Sequence, residues 1–94
     1  MTGSFEWDEE KSRQCKQERG FGFEIVEYFD FAQAMIVEDD RQDYGERRFR
    51  AFGHIEGAAF SIVFTPRGHR LRIISIRRAH EKEMKRYGKS QENP

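Results

Sequence analysis

Alternating apolar and polar positions predict two adjacent strands in residues 58–78. Phe60, Ile62 and Phe64 alternate with Ser, Val and Thr, the period of two that a pleated strand imposes. The Thr-Pro-Arg-Gly sequence at residues 65–68 predicts a turn, because proline suits the second turn position and glycine the fourth. After it, arginines are interleaved with leucine and isoleucine. The pattern therefore predicts a hairpin in a sheet that is buried on one face and cationic on the other.

The N-terminal segment is predicted to form a short edge strand and a helix. Residues 5–7, Phe-Glu-Trp, are expected to be the strand. Asp8 is a typical helix N-cap, and Gly20 readily adopts the left-handed conformation that ends a helix. Cys15 is the one apolar residue between Asp8 and Arg19, so this helix is expected to bury little.

A second, amphipathic helix is predicted at residues 22–29, where Phe23, Val26 and Phe29 recur at every third position. These aromatic side chains are expected to belong to the core. A charged connection at residues 38–48 is expected to be a solvated loop between strands.

The remaining segments complete an α+β fold. Strands are expected at residues 34–37 and 49–55, a tight turn at residues 56–57, a closing helix at residues 79–87 and a flexible tail from about residue 88 to 94. The prediction is two N-terminal helices, a four-stranded antiparallel sheet and a C-terminal helix, in one domain of residues 1–94.

Composition is consistent with a small folded domain. The chain has 94 residues, of which nine are phenylalanine, and 36% are apolar, enough for one core. No apolar run approaches the roughly 20 residues of a membrane span, and the N-terminus lacks a signal pattern. Cys15 is the single cysteine, so no intramolecular disulfide can form. We therefore expect a cytoplasmic protein with no membrane association.

The net charge of zero conceals two opposite halves. Residues 1–46 carry thirteen acidic and five basic side chains, a net of −8, whereas residues 47–94 carry four acidic and twelve basic ones, a net of +8. Such asymmetry indicates a polyanionic partner such as single-stranded RNA, because guanidinium groups bind phosphate bidentately. The alternative is that the basic side chains pair with the acidic half in surface salt bridges.

No motif for a metal ion or a nucleotide cofactor is present. The three histidines lack paired ligand spacing, there is no second cysteine, and no glycine-rich phosphate loop joins a strand to a helix. We therefore expect neither a metal site nor a cofactor.

Six motifs in order along the chain resemble the BrnT toxin family. They are FEWDEEK at residues 5–11, the helix that ends at Gly20, FEIVEYFD at 23–30, EDDRQDYGERRFRAFGHI at 38–55, FTPRG at 64–68 and RIISIRRA at 72–79. The resemblance implies a RelE-like fold and a cytoplasmic bacterial ribonuclease toxin that inhibits translation. It also implies an RNA substrate and a BrnA-type antitoxin with a ribbon-helix-helix DNA-binding domain. Through that antitoxin a toxin–antitoxin heterotetramer is expected to reach operator DNA.

Within the matched motifs, Arg67, Arg72 and Arg77 are the candidates for stabilising the charged phosphate during RNA cleavage. The candidate acid–base groups are Glu46, Glu83, Tyr87, Lys11 and His80, the last more simply a surface residue. The candidate RNA-binding residues are Arg48, Arg70, Arg78, Lys82 and Lys85.

Two alternatives to a ribonuclease remain. The family usually places a histidine where this chain has Arg19, whose pKa is too high for proton shuttling. A catalytically degenerate homologue that binds its antitoxin as a co-repressor is therefore one alternative, and a stand-alone nucleic-acid-binding protein is the other.

Overall fold

The computed structural model describes residues 4–92, with side chains as far as Arg86. Over that range it has five strands, two α-helices and two 3-10 helices. In chain order they are β1 (Phe5–Trp7), α1 (Glu9–Arg19), a first 3-10 helix (Phe23–Tyr28), a second 3-10 helix (Phe31–Gln33), β2 (Met35–Glu38), β3 (Phe49–Ile55), β4 (Ala58–Arg67), β5 (Arg70–Arg78) and α2 (Glu81–Glu92). The α+β class is confirmed.

The sheet has five strands in the order β1-β5-β4-β3-β2, so the predicted count of four is wrong. The antiparallel meander from β2 to β5 is confirmed. The edge strand predicted at residues 5–7 is also confirmed, but it pairs with β5 in parallel, with Trp7 opposite Ile73. The sheet is therefore mixed. Local pattern could not assign this pairing, because β1 and β5 meet only through the tertiary fold.

The first predicted helix is confirmed at both ends. Asp8 Oδ1 accepts hydrogen bonds from the backbone N–H groups of Glu10 and Lys11, at 2.9 and 3.3 Å. Gly20 ends α1 with φ +91°, a conformation that residues with a Cβ adopt at a cost. Cys15 is one of only two buried residues in α1, as the composition of this helix predicted.

The second predicted helix is a 3-10 helix and not an α-helix. Phe23 and Val26 are buried in it, and Phe29 is buried directly after its end. Residues three apart lie directly above one another in a 3-10 helix, which has 3.0 residues per turn. The observed spacing of three therefore suits this helix type, and the predicted core role of these side chains is confirmed.

The turn between β4 and β5 lies two residues later than predicted. Pro66 and Arg67 are still in β4, and the turn consists of Gly68, with φ +61°, and His69. A glycine with positive φ at the first turn position matches the right-handed twist of a hairpin. Proline is tolerated in β4 because β3 starts opposite Phe64, which leaves this end of β4 with a neighbour on one side only. The other predicted turn, at residues 56–57, is confirmed.

The apolar core lies on one face of the sheet. It contains Phe60, Ile62 and Phe64 of β4 with Ile73 and Ile76 of β5, and α1 and the 3-10 helices cover it. This confirms the predicted apolar face of the hairpin. α2 lies against β2 and β3 and continues to Glu92, beyond the predicted end at residue 87. Residues 93–94 of the predicted tail lie outside the described residues. No helix in the described part of the chain is long and apolar enough to cross a membrane.

Candidate functional site

Four arginines of the β4–β5 hairpin lie on the sheet face that is turned away from the core. In the register of β4 and β5, Arg67 lies directly opposite Arg70, Arg72 opposite Thr65, and Arg77 opposite Ser61. Opposed residues of antiparallel strands project to the same face, and β4 alternates these positions with its core residues. We call Arg67, Arg70, Arg72 and Arg77 the arginine face. The hairpin therefore has the predicted arginine-bearing face, and two of these arginines, Arg67 and Arg72, bind carboxylates of the acidic half, as the salt-bridge alternative predicted.

A β-bulge brings Arg72 and Arg77 to the same face. These residues are five apart in β5, and a regular strand would project them to opposite faces. Their partners on β4 are only four apart, because the register shifts next to Val63 and leaves Ile74 as an extra residue. The bulge thus places both guanidinium groups on the arginine face, as bulges near functional sites often do.

Glu46 joins two arginines at one end of the arginine face. Its carboxylate accepts hydrogen bonds from Arg67, at 3.3 Å, and from Arg48, at 3.2 Å. The Arg48 guanidinium lies 4.2 Å from the centre of the Tyr44 ring, a cation–π contact. Partial desolvation tends to raise the pKa of Glu46, but the two arginines lower it overall. Glu46 is therefore ionised at neutral pH.

Arg77 and Glu83 form a two-pronged ion pair between β5 and α2. The distances from the Arg77 guanidinium to the two Glu83 oxygens are 3.0 and 2.7 Å. Glu83 also accepts the backbone N–H of His80 at 3.0 Å, which caps the start of α2. The hydrogen bonds from Arg77 lower the pKa of Glu83 to about 2. A carboxyl group with that pKa is better suited to positioning Arg77 than to transferring a proton near neutral pH.

The charged loop at residues 39–48 is held by a buried carboxylate. The side chain of Asp39 is 1% exposed and accepts two hydrogen bonds from Arg41, at 2.6 and 2.8 Å, and one from the Tyr44 hydroxyl at 3.2 Å. The Arg41 hydrogen bonds lower the pKa of Asp39 to about 2. The prediction of a simple solvated loop missed these hydrogen bonds of the buried Asp39 side chain.

The loop also connects the two ends of the arginine face. At one end, Arg48 of the loop binds Glu46. At the other end, Glu83 raises the pKa of Arg77, and the positive charge of Arg41 in the loop opposes that rise. Sequence reasoning missed Asp39, Arg41 and Tyr44. Their only signal was their position in a charged loop between strands.

Residues 7–83 match a family model described as ribonuclease toxin, BrnT, of type II toxin-antitoxin system. The chain belongs to the BrnT family. The match confirms the resemblance drawn from the sequence motifs, and it identifies a family of ribonuclease toxins with an antitoxin partner and an RNA substrate. It includes the whole arginine face and ends before Tyr87. No curated protein matches the chain.

Of the other predicted site residues of this BrnT-family chain, Arg70 and Arg72 lie on the arginine face, and the rest are dispersed. Arg72 binds Glu6 of β1 at 3.0 Å, and Arg78 lies opposite Phe60, on the core side of the sheet. Lys11, Arg70, Lys82 and Lys85 are exposed, and the side chain of Tyr87 lies outside the described part. No hydrogen bond joins Lys11 to the arginine face among the described side chains. Nor do three His, Cys, Asp or Glu side chains there form a group that could hold a metal ion.

Proposed function

We propose that this chain is a cytoplasmic endoribonuclease that cleaves RNA without a metal ion and thereby inhibits translation. The observation that carries the proposal is the position of Glu46, in contact with Arg67 at the edge of the arginine face. A carboxylate base beside a guanidinium group provides two of the components that RNA cleavage requires: a proton acceptor and a cation for the phosphate.

In the proposed reaction the 2′-hydroxyl oxygen of one nucleotide attacks the adjacent phosphorus and gives its proton to Glu46. The bond from phosphorus to the 5′-oxygen then breaks, and the departing oxygen takes a proton from a solvent water. This leaves a 2′,3′-cyclic phosphate and a 5′-hydroxyl, and the hydroxide so formed is neutralised by the proton that Glu46 releases. Arg67 stabilises the negative charge that accumulates on the phosphate oxygens. Arg77 lies about 20 Å away, six residues further along the hairpin, and holds another phosphate of the same strand.

Binding of the phosphate makes Glu46 a stronger base. Arg67 is half exposed, and an exposed ion pair is weak enough to be exchanged for a phosphate contact. When Arg67 turns to the phosphate, Glu46 loses one stabilising hydrogen bond and gains a neighbouring anion. Both changes raise its pKa from the lowered value of the free protein.

We further propose that a BrnA-type antitoxin with a ribbon-helix-helix domain neutralises the chain and links it to operator DNA as a heterotetramer. A type II system pairs the toxin with a protein antitoxin, which supports this assignment. Co-expression with the product of the adjacent reading frame is expected to yield a stable complex and to restore growth.

Cleavage of purified RNA in the presence of EDTA tests the enzymatic proposal directly. The wild-type chain is expected to produce 2′,3′-cyclic phosphate and 5′-hydroxyl ends, with or without ribosomes, and to arrest growth when expressed without antitoxin. Intact RNA under both conditions, together with a stable antitoxin complex, would instead identify a catalytically degenerate co-repressor. Cleavage that EDTA abolishes would contradict metal independence.

A further inference from the structure

A pocket of about 390 Å³ opens where the end of α1 meets the end of β5. Its lining consists of Arg19, Phe21, Arg77, Arg78 and His80. The volume falls within the range of about 300–1,000 Å³ that is usual for small-molecule sites. Within the described part of the chain, no acidic side chain lines the pocket. Its chemistry is therefore that of a site for an anion with an apolar part.

The arginines of the pocket differ from those that bind carboxylates on the arginine face. Arg19 and Arg78 are exposed, and neither forms an ion pair with a carboxylate among the side chains described. Arg77 is bound to Glu83 and belongs to both regions. Two guanidinium groups are thus available to an incoming anion without first releasing a partner.

The pocket also has a rigid aromatic wall. The half-buried ring of Phe21 meets the ring of Phe60 edge to face, with centroids 5.3 Å apart. The Arg78 guanidinium lies 5.4 Å from the centre of the same Phe60 ring, which is 6% exposed. Phe60 therefore fixes an aromatic ring and a cation side by side. Single-stranded nucleic acids are bound by this combination, since bases stack on the ring and cations hold the backbone.

We propose that this pocket is a nucleotide subsite, which takes one base of single-stranded RNA against Phe21 and an adjoining phosphate between Arg19 and Arg78. The inference rests on the proposed ribonuclease function and deepens it. Arg77 connects the subsite to the arginine face, so the strand that enters the pocket continues towards Glu46 and Arg67. The subsite thus anchors a nucleotide several positions along the strand from the reacting phosphate, because Arg77 and Arg67 lie about 20 Å apart along the hairpin.

Binding of a short 2′-O-methyl oligoribonucleotide, measured by fluorescence anisotropy across a salt series, tests the proposal. This probe lacks the nucleophilic 2′-hydroxyl, so binding is measured without cleavage. Arg19→Gln is expected to weaken binding about tenfold and to reduce the slope of log K against log salt by about 0.7, the loss of one phosphate contact to a single strand. Arg78→Gln is expected to behave in the same way. The matched control is Lys16→Gln, which removes an exposed charge from α1 outside the pocket and is expected to change binding less than about twofold.

Phe21→Leu separates base contact from phosphate contact. It is expected to weaken binding about tenfold with an unchanged salt slope, because stacking is lost and no charge is removed. Tyr28→Leu, at an aromatic residue that is 69% exposed elsewhere, is the matched control and is expected to have no effect. Urea unfolding of each variant identifies any loss of affinity that is due to a loss of fold.

The outcomes distinguish this proposal from the ribonuclease proposal. Equal affinities and slopes for Arg19→Gln and Lys16→Gln would overturn the subsite, even if the wild type cleaves RNA. A selective loss in the Arg19 and Arg78 variants would support it, even if the wild type leaves RNA intact. Variants that lose affinity for the antitoxin but keep it for the oligonucleotide would assign the pocket to a protein partner and overturn the proposal.

Discussion

The arginine face and the pocket present the same side chain in two different states. On the arginine face, Arg67, Arg72 and Arg77 each bind a carboxylate, which fixes the guanidinium group but occupies it. In the pocket, Arg19 and Arg78 have no such partner among the described residues. An arginine bound to a carboxylate is positioned in advance, but it must release that carboxylate before it can bind phosphate. An arginine without a carboxylate partner can bind phosphate directly. On the functions proposed above, we expect the pocket to capture RNA and the arginine face to act on it.

Arg67→Gln is expected to have the largest effect. Loss of a cation that stabilises the reacting phosphate is expected to reduce the cleavage rate about 10²–10³-fold, the range seen when one transition-state donor is removed. The measurement is a single-turnover cleavage rate with saturating enzyme. Arg13→Gln is the matched control, since Arg13 is also an exposed arginine bound to a carboxylate, that of Glu10, but lies on α1 outside the arginine face. Equal losses in the two variants would show that only general charge matters.

Arg77→Gln and Glu83→Gln separate a catalytic role from an anchoring role. If Arg77 holds a phosphate of the RNA, its replacement is expected to reduce cleavage about 10²-fold through loss of a charge-assisted contact, and loss of Glu83 is expected to cost about tenfold at most. Glu83 would then act only by positioning Arg77 and capping α2. If both variants lose the same activity and the same helicity by circular dichroism, the ion pair serves to attach α2, and the catalytic assignment of Arg77 is wrong.

Asp39→Asn is expected to lower the free energy of unfolding by about 2 kcal/mol, because a buried carboxylate loses its charge-assisted hydrogen bonds to Arg41. The loop would then no longer hold Arg48 and Glu46 at the arginine face, so cleavage is expected to fall as well. Urea unfolding with an unchanged m-value measures the stability. Asp40→Asn, at the exposed neighbouring residue, is the control. An equal loss of stability in that variant would show that the Asp39 hydrogen bonds do not hold the loop.

The same carboxylate predicts a stability loss in acid. Folding lowers the pKa of Asp39 from 3.8 to about 2. The ionised carboxylate therefore contributes fully to the free energy of unfolding above the pKa of the unfolded chain, and this contribution is lost as pH falls through the pKa of the folded protein. The shift corresponds to about 2 kcal/mol. Urea unfolding between about pH 5 and about pH 2 should therefore show a component that is present in the wild type and absent from Asp39→Asn. A pH dependence shared equally by both proteins would contradict this.

Glu6→Gln is expected to have the smallest effect. The pair between Glu6 and Arg72 is about one-third exposed, and such surface pairs contribute less than about 1 kcal/mol. Release of Arg72 is expected to leave the cleavage rate within about twofold, because this arginine remains on the arginine face. A larger loss of either stability or activity would show that β1 must hold Arg72 in place.

Much of the fold could be predicted because its signals are local. The cap at Asp8, the glycine that ends α1 and the alternation along β4 each act within a few residues, and the structure contains all three. The motifs likewise identified the family that the family model confirms. The type of the second helix was mistaken, because a spacing of three is shared by two helix types over so short a segment.

The candidate site depends on contacts that no local pattern specifies. The bulge that unites Arg72 and Arg77 arises from pairing between two strands, and a strict period of two along β5 predicts the opposite. The pair between Arg67 and Glu46 joins residues 21 apart, and that between Arg72 and Glu6 joins residues 66 apart. Only the folded chain selects these partners among many possible carboxylates.

The sequence by itself therefore determined the approximate positions of the helices and strands, the apolar face and the excess of arginine beside it, since propensity and periodicity are properties of neighbouring residues. The tertiary structure alone decided which arginines are bound to carboxylates and which line an open pocket. That distinction arises where the end of α1, the end of β5 and the charged loop are brought together, because side-chain pairing depends on distances that exist only after folding.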